Sequence, residues 1–210
     1  MPRAAVKPLC LGIAGGSGSG KSWLAARLMG QLQVPVTVVC QDWYYRHNGH
    51  LSDEEALALN FDHPDAIETP LFARHVRELL AGRVVDAPVY DYATHARLGR
   101  TRRVEPASVV IVEGLLVLHP PRLRSLMDCS VFIEVPADIR LARRIRRDSV
   151  ERRVDLNETL RLYEHCVRPM HERFIAPSAA HATWVWRQEE DAKFPDDLVR
   201  ALKKRLSARR

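Results

Sequence analysis

The sequence predicts one α/β domain in three layers, a mostly parallel sheet between flanking helices. Three observations predict it. A glycine-rich loop, Gly15-Gly16-Ser17-Gly18-Ser19-Gly20-Lys21-Ser22, joins a short apolar segment to an amphipathic one. β-branched apolar runs of strand length recur at 34–40, 109–114 and 130–135, and two of them lead into a carboxylate, Asp42 or Glu113. Near-continuous apolar runs mark strands buried on both faces of a parallel sheet. Helical patterns alternate with these runs, as βαβ units require. At 210 residues a single domain over 1–210 is expected, with a hairpin lobe at about 84–95 and a lid at about 140–155.

Leu9 to Ala14 reads as the first strand. Lys21 to Leu32 reads as the first helix, with Leu24, Leu28 and Leu32 on one face. The loop between them fits G-x-x-x-x-G-K-[ST] at every fixed position, in the strand–loop–helix context that gives the pattern its physics. Glycines let the backbone wrap a phosphate, and the helix N-terminus adds partial positive charge. This is the phosphate-binding loop of a P-loop NTPase three-layer fold. Lys21 is expected on the β- and γ-phosphates and Ser22 on Mg²⁺. Gly15, Gly16, Ser17, Gly18, Ser19 and Gly20 supply the cradle.

Val34 to Cys40 reads as the second strand. Asp42 follows its carboxyl end, where open α/β sheets bind ligands. Read alone, Asp42 is a general base, a metal-shell carboxylate or a turn cap. Ser52-Asp53-Glu54-Glu55 is a capping-box pattern opening a short helix through Leu59, and 60–66 is a loop. Thr69-Pro70 starts a helix, Thr as N-cap and Pro in its first position, and Gly82 ends it. Val84 to Tyr92 contains Ala87-Pro88, which central strands exclude, so it reads as an edge hairpin outside the main sheet. Tyr90, Tyr92 and His95 cluster there, as packing of a small lobe or as a ligand wall.

Val109 to Gly114 reads as a buried strand that ends in Glu113, placed to order Mg²⁺ or its waters. Ser130 to Val135 is another strand. Then Arg140, Arg143, Arg144, Arg146, Arg147, Arg152 and Arg153 crowd one mostly helical segment. Such a run is a solvated face, a nucleic-acid patch, or a lid whose arginines stabilise a phosphate in transfer. Asp155 to His171 reads as an amphipathic helix broken near Pro169, 184–186 as the last strand, and 195–209 as a closing helix with a solvated basic face.

Composition narrows the class. With 46% hydrophobic and 28% charged residues, the chain reads as globular rather than disordered. The net charge of +6 suits an anionic ligand without choosing between nucleotide and nucleic acid. Cys10, Cys40, Cys129 and Cys166 are far apart, with no C-x-x-C, so a reducing compartment is expected rather than zinc or disulfides. Arg3, Lys7 and the short apolar run behind them pass straight into the phosphate loop, so no export signal is read. No segment is long enough to span a membrane. A cytoplasmic protein is expected.

Taken together, the motifs resemble those of the uridine kinase family (uridine–cytidine kinases), within the group that holds phosphoribulokinase and pantothenate kinase. The resemblance runs from about Leu9 to Pro177 and rests on GGSGSGKS, QDWYY, NFDHPDA, PVYDYATHAR and the strand ending in Glu113-Gly114. NFDHPDA is the most specific of them. The resemblance implies an ATP- or GTP-dependent, Mg²⁺-requiring kinase of the nucleoside 5′-hydroxyl, binding neither nucleic acid nor membrane and forming homo-oligomers, often tetramers. It implies Asp42 as catalytic base, Lys21 and Ser22 on phosphate and Mg²⁺, and Glu113 beside the metal. It implies Asp62 on the ribose hydroxyls, and Tyr90 and His95 lining the pyrimidine with Phe61, Tyr45 and Tyr92 as aromatic neighbours. Arg144 and Arg147 match lid arginines, Arg144 and Arg152 face the substrate, and Asp191 falls near the donor nucleotide.

Three departures bear on the acceptor. Val154 stands where the family's E-R-G-R-D lid has a substrate-contacting arginine. Leu162 stands where it has a substrate-contacting glutamine. Ser178-Ala179-Ala180-His181-Ala182-Thr183 replaces the usual K-K-Y-A-D segment. A kinase of another ribosyl or small-alcohol substrate, such as nicotinamide riboside, is therefore a second expectation. A P-loop NTPase that binds nucleic acid through its arginines is a third. A regulatory pseudokinase is weaker still, because Lys21, Ser22, Asp42 and Glu113 are all present.

Overall fold

The computed structural model describes residues 7–46, 60–91, 94, 96–151 and 154–209. The expected helix at 52–59 and three of the expected site residues, Tyr92, His95 and Arg152, lie outside them.

The main sheet has five strands, all parallel. They are β1 (Leu9–Gly15), β2 (Val36–Cys40), β5 (Val109–Glu113), β6 (Cys129–Glu134) and β7 (Trp184–Arg187), in the order β2-β5-β1-β6-β7. All seven residues of β1 and all five of β5 are buried, which is why their sequences are apolar without alternation. On one face, Leu9, Leu11, Ile13, Ile111 and Val131 pack against helices α1 (Lys21–Gln31) and α5 (Phe194–Ser207). On the other, Cys10, Ala14, Val110, Val112 and Phe132 pack against α2 (Thr69–Leu80) and the helical segment that carries Ile175. These are the three layers that the sequence predicts. No helix among the described residues is long and apolar enough to cross a membrane.

The hairpin lobe is a separate two-stranded sheet of β3 (Val85–Asp91) and β4 (Ala96–Val104), antiparallel, with a register shift between Pro88 and Tyr90. The proline lies at that irregularity on an edge strand, where a missing N–H costs no ladder bond. β4 extends the lobe well beyond 95. Its sequence, ARLGRTRRV, has no apolar alternation because most of it is exposed.

Two local readings need correction. Thr69 is the first residue of α2 rather than its cap; Glu68 precedes the helix and is pinned by a bond from its N–H to Tyr44 O at 2.8 Å. The chain also does not break at Pro169. After α3 (Ala137–Glu151) and α4 (Leu156–Leu162), two π-turns, Tyr163–Val167 and His171–Ile175, flank Arg168–Met170 and keep the backbone helical to His181. Wider turns relieve the clash of a proline ring with the preceding turn.

One glycine shows how the strand ends are locked together. A Cβ on Gly114 would lie 2.3 Å from Gln41 Cβ and 2.5 Å from its Oε1. That oxygen accepts the Leu116 N–H at 2.9 Å. The buried Gln41 therefore crosses over Gly114 and ties the end of β2 to the end of β5. We expect Gly114→Ala to lower stability by about 1–3 kcal/mol, the usual cost of overpacking. Thermal unfolding checks this, and Gln41→Ala in the same chain should cost much less than the sum of the two single changes.

Candidate active site

The phosphate loop takes the shape its glycines permit. Gly18 and Gly20 have φ of +78° and +90°, in the left-handed region where other residues are strained. A Cβ on Gly18 would also fall 2.5 Å from Arg140 O. The Ser19 N–H closes the turn on Gly16 O at 3.1 Å. Lys21 Nζ donates to Gly15 O at 3.1 Å and Gly16 O at 3.0 Å, so the ammonium lies over the loop. Burial lowers its pKa, while Glu113 and then Asp42 oppose the shift. Both carboxylates therefore act on this lysine.

Their placement follows from strand register. In the parallel ladder Ile13 faces Glu113, and Glu113 faces Cys40. The residues just past these positions are the phosphate loop, Gly114, and Gln41-Asp42 in a 3-10 turn, Gln41–Tyr44. Ser22 Oγ, at the first turn of α1, donates to Glu113 Oε1 at 3.0 Å. A hydroxyl and a carboxylate that meet beside a phosphate loop are a hard oxygen pair. They fit Mg²⁺, which takes one or two protein oxygens and fills its remaining positions with water and substrate phosphate.

Asp62, Phe61, Tyr45 and Tyr90 gather beyond Asp42, on the β2 side. Asp62 is buried, and its N–H is held by Asn60 Oδ1 at 3.1 Å. His63 Nδ1 accepts the Asp65 N–H at 3.2 Å and caps the turn Pro64–Ala66. NFDHPDA is thus a chain of capped turns that presents Asp62. The Tyr45 ring meets Phe61 edge-on at 5.5 Å and Tyr90 at 5.2 Å. Burial pushes the Tyr90 hydroxyl up to about 12.

The lid arginines reach the loop. Arg144 Nη1 donates to Ser17 Oγ at 3.2 Å, and Arg144 and Arg147 both pair with Asp148. Phe174, on the helical segment after the lid, meets the His63 ring edge-on at 5.2 Å, so that segment packs against the loop that carries Asp62. Asp191 lies elsewhere, between β7 and α5. Its Oδ1 accepts the N–H groups of Lys193 and Phe194 at 3.1 and 3.0 Å and so caps α5. It adjoins a cavity of about 400 Å³ at the carboxyl ends of β6 and β7, lined among others by Arg140, His171, Gln188 and Glu190.

Two positioning groups went unread in the sequence although both lie inside quoted motifs. Gln41 of QDWYY locks the strand ends. Arg97, the last residue of PVYDYATHAR, donates to Tyr45 O at 2.7 Å and Tyr44 O at 3.2 Å, and pairs with Glu68 at 2.5 Å. It ties the hairpin lobe to the turn that carries Asp42. The signal for each was a polar motif residue with no pocket role of its own. Arg143, which bonds Gly18 O and Gln188 Oε1 at 3.3 and 2.7 Å, had no such signal within the arginine run.

Residues 10–193 match the model of the Phosphoribulokinase / Uridine kinase family. The uridine kinase of Streptococcus equi subsp. zooepidemicus (strain MGCS10565) is 44% identical over 177 residues, covering 84% of this chain and 85% of that one. The uridine kinase of Streptococcus gordonii is 39% identical over 194 residues, covering 92% of each. In fold, phosphoribulokinase from Rhodobacter spheroides is similar at a TM-score of 0.56 and 16% identity, over 81% of this chain and 69% of that one.

His171 gives a pH test of the cavity wall. Burial, and then the neighbouring Arg140, pull its ring from 6.5 down to about 4, and its buried Nδ1 has no hydrogen-bond partner among the described residues. The unfolded chain therefore binds the proton that the folded chain refuses. The stability this contributes is present above 6.5 and is lost as pH falls towards 4. In His171→Phe, the melting temperature should fall less steeply than in the wild type between those pH values.

Proposed function

The chain belongs to the phosphoribulokinase / uridine kinase family, and from that premise we propose that it transfers the γ-phosphate of ATP or GTP to the 5′-hydroxyl of uridine or cytidine. One observation carries the reading. Adjacent parallel strands end at Asp42 and Glu113 beside the phosphate loop, and Glu113 meets the Ser22 hydroxyl there.

In this mechanism the donor phosphates lie in the loop under Lys21. Ser22 and Glu113 would hold Mg²⁺, whose charge offsets that of the phosphates when it is bound. Asp62 accepts hydrogen bonds from the ribose hydroxyls, and Tyr45, Phe61 and Tyr90 wall the base. Asp42 takes the proton from the 5′-hydroxyl as that oxygen attacks the γ-phosphorus. A P–O bond forms to the acceptor while the bond to the β,γ-bridging oxygen breaks, and the nucleoside diphosphate leaves. Lys21, Arg144 and Arg147 stabilise the charge spread over the moving phosphate; inserted arginines contribute about 10³ to 10⁵ in rate in related chemistry. Closing the lid excludes water, which otherwise competes as acceptor.

Leu162 and Val154 favour a second reading of the acceptor alone. Each supplies an apolar side chain where a family member contacts its substrate with a polar one, so a ribosyl compound with a different base would lose less here. The phosphate chemistry is the same in both readings.

Asp42→Asn tests the base. Turnover on uridine or cytidine should fall by at least about 10²-fold, the low end for general-base help, with ATP affinity by calorimetry within about twofold of the wild type. Turnover that survives the substitution removes Asp42 from the role.

A further inference from the structure

The two lid arginines share a carboxylate that the proposed reaction does not use. Asp148 is on α3, its side chain only 4% exposed. Its Oδ2 lies 3.1 Å from Arg144 Nε, one turn earlier on the helix. Its Oδ1 accepts from Arg147 Nε at 3.0 Å and lies 2.9 Å from Arg147 Nη2. Its backbone oxygen accepts the Val154 N–H at 3.0 Å, where the chain turns from α3 towards α4. Arg144 in turn donates to Ser17 Oγ within the phosphate loop.

Exposed helical pairs contribute little, but this carboxylate is out of water, and a buried charge is tolerated only when it is paired. An arginine has five N–H donors in a rigid fork. The ion pairs with Asp148 hold both guanidinium groups against the lid helix, Arg147 through Nε and Nη2 and Arg144 on its Nε side, and leave Arg144 Nη1 to reach Ser17 Oγ in the loop. Two flexible cations six to seven atoms long are thereby set in place before a phosphate arrives, which is where electrostatic catalysis gains its effect.

We propose that Asp148 is a positioning residue that aims Arg144 and Arg147 at the donor's γ-phosphate and couples their aim to the lid segment at Val154. This deepens the kinase reading and rests on it. It assigns Asp148 no contact with substrate.

The test is a mutant cycle with two readouts: the preference for ATP–Mg²⁺ over ADP–Mg²⁺ by calorimetry without any acceptor, and kcat with uridine or cytidine per mole of ATP-binding sites. The variants are Asp148→Asn, Arg144→Gln with Arg147→Gln, and the triple combination. Asp148→Asn should lower kcat by about 10- to 100-fold, the usual scale for partners that orient an active group, and reduce the ATP preference, with the acceptor KM little changed. In the chain that lacks both arginines, the same substitution should change neither readout by more than about twofold, because coupled residues are not additive. Equal losses with and without the arginines overturn the proposal, as does an unaltered kcat and ATP preference in Asp148→Asn. Counting by binding sites removes any fraction that fails to fold. Absence of wild-type turnover on pyrimidine nucleosides reports on the acceptor reading instead, and the binding cycle still decides the role of Asp148.

Discussion

One rung of the sheet governs the site. Ile13, Glu113 and Cys40 stand side by side on β1, β5 and β2, and everything chemical leaves the sheet just beyond them. The phosphate loop, Glu113 and Asp42 are brought together by backbone ladders, before any side chain chooses a partner. A slip of one residue in β5 would turn Glu113 to the opposite face and bury a different side chain over the loop. Gln41, folded across Gly114, is the local guard against that slip. Register is costly to change because both faces of β1 and β5 are buried.

The sheet order then divides the labour. β2 and β5 lie on one side of β1, where Asp42, Glu113 and the aromatic cluster gather. β6 and β7 lie on the other, where the lid helix begins and the cavity beside Arg140 opens. In the proposed reaction a triphosphate whose γ end meets Asp42 extends its remaining length towards β6 and β7. The hairpin lobe adds a second constraint through Arg97, whose bonds to Tyr44 and Tyr45 hold the turn that carries Asp42 from outside the sheet. The hairpin lobe and the Asp42 turn are thus joined through the Arg97 guanidinium.

The fold was legible because its signals are local and redundant. The phosphate loop has fixed spacing, and strands buried on both faces leave unbroken apolar runs. The placement of Asp42 and Glu113 at the strand ends was legible because polar residues just past such runs mark where the chain leaves the sheet. What could not be read depends on long-range pairing or on backbone detail. β4 carries no alternation because its faces are wet, and Pro169 breaks no helix because π-turns absorb it. Asp148 was hidden inside a run of arginines, where one acidic residue reads as a surface counter-ion; its burial and its pairing with Arg144 and Arg147 set it apart.

The central claim is that these strand ends direct a phosphate onto a pyrimidine nucleoside. The most direct measurement is product analysis by ³¹P NMR and mass after incubation with ATP–Mg²⁺ and, separately, uridine, cytidine, adenosine, nicotinamide riboside and pantothenate. The account predicts a nucleoside 5′-monophosphate from uridine or cytidine, formed in equal amount with ADP. ADP released with no phosphorylated pyrimidine nucleoside, or phosphate found only on another acceptor, would contradict it.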